Sequence, residues 1–132
     1  MSISARRLER ERILSLLYEA QIKGVPVVEV IEDLPARPED FVVETAVGVD
    51  EAAKGLDEEL GGYLVDWTIE RMTTIDRTVL RIGAWELLNR PDLSVAVVIS
   101  EAVELAKRFS TEESGRFVNG VLATFAAAHR PA

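Results

Sequence analysis

Cysteine is absent from the 132-residue chain, histidine occurs once, and no apolar run is long enough to span a membrane. Without cysteine there is no disulfide, no thiolate zinc site and no thiol nucleophile. The one histidine, His129, lies in the tail, so Ser-His-Asp and Cys-His arrangements lack their central residue. A spanning helix needs roughly 18 or more consecutive apolar residues, which no stretch approaches. No glycine-rich loop leads from a strand into a helix, which removes the usual phosphate cradle. The first residues, Met1–Arg12, are too polar for the apolar stretch of a secretory signal. An enzyme is therefore the weakest class. No cofactor, metal, membrane or small-molecule substrate is expected, and the expected location is the cytoplasm.

What is present is a globular composition. Hydrophobic residues make up 48% of the chain, too many for intrinsic disorder, and the length suits one domain with its own core. The net charge of −8, taken alone, argues against a nucleic-acid partner. Its distribution changes that reading. Residues 1–24 carry five basic residues against three acids, residues 25–66 two against twelve, and residues 67–132 eight of each. The acidity is confined to a middle segment, and the flanks are neutral or slightly basic.

Apolar residues recur at helical spacing nearly throughout, in a chain rich in Ala, Leu, Glu and Arg. The expected fold is all-α, a compact bundle of about six to seven helices with no convincing strand. A first helix over Ala5–Lys23 places Ile13, Leu16, Leu17 and Ala20 on one face and is stopped by Gly24 and Pro26. A short helix over Val27–Leu34 ends at Pro35. Pro38 suits a first helical position and opens a helix towards Leu60, broken by Gly61-Gly62. A turn around Trp67–Met72 precedes a helix over Thr74–Arg90, ended by Pro91. Ser94 caps the next helix, whose apolar stripe runs from Val95 to Phe109. Ser110 and Glu113 form a capping box for the last helix, which buries Phe117, Val121 and Phe125. Glu104 and Arg108 are expected to pair at i,i+4 on the surface. The Gly61-Gly62 break divides one domain, residues 1–132, into an N-terminal helical group at 1–62 and a C-terminal group at 63–132.

Two features do not fit a plain bundle. Glu86 falls among Ile75, Val79 and Ile82 on an apolar helix face, where a carboxylate needs a partner; it is either a paired structural acid or part of a functional site. Arg6, Arg7 and Arg10 project together, and Arg6 and Arg10 fall in line with Ile13 and Leu17 on the core face. The expectation is that the first two turns extend past the bundle and offer guanidinium groups along its edge. Such forks suit phosphate. The other reading is a solvated helix end paired with Glu9 and Glu11.

Three stretches carry a family resemblance. ARRLERERILSLLYE (Ala5–Glu19), DRTVLRIGAWELL (Asp76–Leu88) and ISEAVELAKRFSTEESGRFVNGVL (Ile99–Leu122) together resemble the NusB family, in order and in spacing. The likeness is strongest over Asp76–Leu122. It implies two packed three-helix groups and a role without catalysis. Such a protein pairs with NusE, a small-subunit ribosomal protein. The pair binds the single-stranded boxA element of nascent ribosomal RNA and serves the transcription elongation complex as an antitermination factor.

The resemblance assigns roles residue by residue. Arg6, Arg7 and Arg10 match the family's arginine-rich RNA contacts, and Phe109, Glu113 and Phe117 match further RNA positions. Tyr18, Glu70, Asp76 and Arg81 match positions on the NusE side. The residues alone leave alternatives open: Phe109 and Phe117 also suit the core, Glu113 a helix cap, and Asp76 and Arg81 internal ion pairs. Leu8, Glu9, Ser100 and Ala123 depart from the family's usual residues, and the first two weaken the basic cluster. The alternative implied is a protein-only adaptor of the same fold that binds NusE or an rRNA-modifying partner with little RNA binding.

Overall fold

The computed structural model describes residues 3–64 and 68–130. Among the described residues six α-helices run in chain order as α1 (Ile3–Lys23), α2 (Val27–Glu32), α3 (Asp40–Gly61), α4 (Thr74–Asn89), α5 (Val95–Phe109) and α6 (Glu112–His129). A 3-10 turn at Ile69–Arg71 leads into α4, and no strand occurs among the described residues. The expected turn is thus present at its C-terminal side, while Trp67 lies outside the described residues.

Local chemistry sets the ends. Gly24, at φ 67, takes the left-handed conformation that terminates α1. Thr73, Ser94 and Thr111 cap α4, α5 and α6, their hydroxyls accepting from the backbone N–H groups of Asp76, Val97 and Ser114. The cap of α6 corrects the expected box at Ser110 and Glu113. Thr111 is extended at ψ 165 and its Oγ1 lies 2.9 Å from the Ser114 N, so it fills the site one residue later. Pro38 is likewise not the first helical residue. Glu39 is still extended at ψ 151, and α3 begins at Asp40.

α4 is the central helix and packs against α1, α3, α5 and α6. Two glycines permit its close approaches. A Cβ on Gly83 of α4 would lie 2.5 Å from Leu122 Cδ1 of α6, and one on Gly48 of α3 would overlap the Trp85 ring of α4. Around α4 a single apolar core collects Ile13, Leu60, Leu80, Ile82, Leu122 and Phe125, each almost wholly buried. Burial of a large aliphatic or aromatic side chain contributes about 1.5–3 kcal/mol, so this core dominates the stability of the bundle.

Arg130 closes the far end of α4. Its guanidinium donates to the carbonyls of Leu87 at 2.9 Å and Arg90 at 2.7 Å at the helix end and of Leu93 at 2.6 Å in the link to α5, which gives each of these acceptors a donor.

Candidate functional site

The first turns of α1 do not extend past the bundle. They dock on it, and the arginine cluster is built into a network of carboxylates. Arg10 is 2% exposed; its Nε donates to both Glu86 oxygens at 3.2 Å, and its Nη2 lies 3.0 Å from Glu86 Oε1. Glu86, 1% exposed on α4, is therefore the paired buried acid that its place on an apolar face requires. Burial holds its carboxyl above the usual carboxylate range, with the Arg10 cation pulling it back down.

Arg7 faces the adjoining acid. Its Nε donates to Glu101 Oε2 at 3.1 Å, and Glu101 Oε1 lies 4.0 Å from Arg10 Nη1. Arg6 donates to Glu9 at 3.1 Å and stacks its guanidinium 3.8 Å from the Phe41 ring centroid. Arg90 of the α4–α5 connection lies near the same ring, at 4.3 Å. Phe41 thus belongs to two cation–π contacts within 5 Å, each worth about 0.5–2 kcal/mol. Of the three arginines expected on an open edge, Arg7 keeps 42% of its side chain exposed, Arg6 30% and Arg10 almost none.

Beside Arg7 the surface continues onto α5. Arg108 donates to Glu11 at 2.7 Å, which replaces the expected Glu104–Arg108 pair, because α1 offers a carboxylate at closer range. The Arg108 guanidinium is 5.9 Å from the ring of Phe109, and Phe109 is 45% exposed. Phe109 ends the apolar stripe but sits beyond the core, so its face is open. Phe117 is half-buried against the core, and Glu113 is exposed on the first turn of α6.

Glu113 and Phe117 share a cleft of about 530 Å³ with Asp76, which the resemblance placed on the partner side. Asp76 Oδ2 accepts from Ser114 Oγ at 2.9 Å, joining α4 to α6, while its Oδ1 is buried without a partner. Glu70 and Arg81 line a separate groove between α3 and the 3-10 turn. There Arg81 makes a two-pronged pair with Asp57, at 2.7 and 2.6 Å, so the internal ion pair that its sequence left open exists. Tyr18 is 41% exposed on α1 and lines neither of these two clefts.

Several residues of this arrangement were not singled out from the sequence. Glu101 had a signal: it falls three residues after Val98 and four before Leu105, on the apolar side of α5. Phe41 and Arg90 had none, since nothing in a linear pattern shows an aromatic ring lying between two distant cations. His129 is engaged internally, stacked on Phe125 at 4.0 Å with Nε2 3.0 Å from Glu59.

An all-α domain built on one central helix, with arginines partly held by its own carboxylates along one edge, is the class that fold and site define. The chain belongs to the NusB family, whose model matches residues 7–127. It is 46% identical over 122 residues to the transcription antitermination protein NusB of Thermobifida fusca (strain YX), covering 89% of this chain and 86% of that protein. The structure of T. maritima NusB superposes with a TM-score of 0.84 at 33% identity, covering 96% of this chain and 93% of that one. A structure of antitermination factors NusB and NusE in complex with double-stranded RNA shares the fold, with a TM-score of 0.77 at 24% identity over 96% of this chain and 99% of that one.

Proposed function

We propose that the protein is a transcription antitermination factor that pairs with NusE and binds boxA RNA of nascent ribosomal transcripts. The observation that carries this reading is the arginine edge from Arg6 and Arg7 through Arg108 to the open ring of Phe109, which stays partly exposed after internal pairing on a molecule of net charge −8. Arg6 and Arg7 keep 30% and 42% of their side chains exposed, where phosphates can approach. Phe109 offers a face for stacking an unpaired base, worth about 1–3 kcal/mol. Arg10 takes a positioning role, since it is buried and holds Glu86 and Glu101 from within. Tyr18, Glu70 and Arg81 form the partner side, with Asp76 where the two sides meet. The protein works by binding in the cytoplasm and not by catalysis.

The long-range field of a −8 chain opposes RNA, so a basic partner strengthens RNA binding. The experiment is a pair of titrations at fixed salt: boxA and scrambled RNA with and without saturating NusE, and NusE with and without boxA RNA. Each ligand should tighten the other by the same factor, about 5- to 150-fold, as linkage requires. NusE binding with no detectable RNA binding in either state would replace this reading with the protein-only adaptor.

A further inference from the structure

Phe41, in the first turn of α3, is 8% exposed, and its ring lies against three guanidinium groups. Arg6 is 3.8 Å from the ring centroid, Arg90 4.3 Å and Arg10 5.5 Å. The three differ in what else they do. Arg10 is committed to Glu86 in the core. Arg90, with 17% of its side chain exposed, donates to Thr45 at 3.0 Å and reaches Glu44 at 3.4 Å. Arg6 combines the shortest ring contact with the most open side chain of the three. Among the described residues its hydrogen bond is from Nη1 to Glu9, whose own side chain is buried.

Arg6 is thus held from two directions, by a ring against its guanidinium and by a carboxylate on one N–H. A guanidinium carries five N–H donors, so one bond leaves the others for a ligand. A long side chain that is ordered only on binding weakens the complex by the freedom it loses. Here the ordering is in place before a ligand arrives. The ring also attracts the cation without supplying an acceptor that competes with phosphate oxygens. A second carboxylate in its place would fix Arg6 as firmly and cancel its charge. We propose that Phe41 is a positioning residue for RNA, which holds Arg6 preorganised for a phosphate and does not itself touch the ligand. This rests on the RNA reading above.

The test uses the full chain with saturating NusE and a boxA oligoribonucleotide. Phe41→Leu keeps the apolar bulk and removes the π-face. RNA affinity should fall about 2- to 10-fold, the cost of ordering one long side chain, with NusE affinity unchanged. All charges remain, so the log–log salt slope should match that of the unaltered chain, whereas Arg6→Ala should lower affinity and flatten the slope. In an Arg6→Ala background Phe41→Leu should add no further loss, which separates the share of Arg6 from any effect through Arg10 or Arg90. Phe41→Tyr keeps the ring and should restore binding. One measurement needs no change at Phe41. The nitrogen-15 labelled Nε–H signal of Arg6, identified by its loss in Arg6→Lys, should keep its ring-current shift when RNA saturates the chain. Full RNA affinity in Phe41→Leu, an undiminished loss in the Arg6→Ala background, or an Arg6 signal that leaves its ring-shifted position on RNA addition overturns the proposal and keeps the RNA reading. No RNA binding by the unaltered protein with NusE overturns both.

Discussion

At the start of α1, Arg6, Arg7, Arg10 and the nearby Arg108 each face a carboxylate of this chain, namely Glu9, Glu101, Glu86 and Glu11. In the cleft beside α6, Arg71 and Arg116 pair with none among the described residues, although Asp76 and Glu113 line the same cleft. The guanidinium is the same in both places; the neighbouring helices differ in how close they bring their acids. A row of arginines therefore does not by itself mark a phosphate site. What marks it is the exposed cationic surface left after internal pairing, and by that measure the α1 edge is partly structural.

The comparison breaks most directly at Arg10. Arg10→Ala leaves Glu86 buried without its partner, and Glu86→Ala leaves Arg10 only the longer 4.0 Å contact with Glu101, so each should lower stability by about 3–5 kcal/mol in denaturant unfolding. Arg10→Met with Glu86→Leu should recover most of that loss. Single variants as mild as the exposed Arg12→Ala would mean the α1 end is no more structural than the cleft. Next in size, Arg130→Ala strips donors from three carbonyls and should cost about 1–3 kcal/mol, read as a lowered midpoint. On the recognition side, Arg7→Ala should flatten the log–log salt dependence of RNA binding by roughly 0.7 with stability little changed. Arg12→Ala should do much less, and equal slopes for both variants would reduce the edge to diffuse charge.

The smallest effect is in pH. The Glu86 carboxyl is held above its ordinary value of 4.5, so the folded state binds that proton more tightly than the unfolded chain does. Its contribution is then full below the unfolded value and declines as pH rises through the raised one. The stability advantage of the unaltered protein over Glu86→Gln should accordingly narrow as pH rises above the ordinary value of 4.5. An advantage that grows with pH would show that the Arg10 charge outweighs burial.

Helix order and most boundaries were legible because apolar periodicity and the Gly24, Pro91 and Ser94 signals are local. The site was legible only in halves. A helical wheel puts Arg10 and Glu86 each on a core face, and each was recognised as out of place. What the sequence hides is that the two anomalies answer each other across 76 positions. A buried arginine and a buried glutamate left over on two different helices are a pair worth testing before either is sent to the surface. The cap at Thr111 was misplaced by one residue because Ser110 and Thr111 are both competent caps, and only backbone geometry chooses between them.

Arg130 also sets an order of events during synthesis. The carbonyls it satisfies belong to residues 87, 90 and 93, some forty positions earlier in the chain. While the ribosome is still extending α6, these carbonyls lack the Arg130 donor, and only local bonds such as Leu93 N–H to Arg90 O at 3.1 Å hold that corner against fraying. It locks when the last helix has emerged and docked, so the corner beside the arginine end of α1 is the last part of the newborn protein to become rigid.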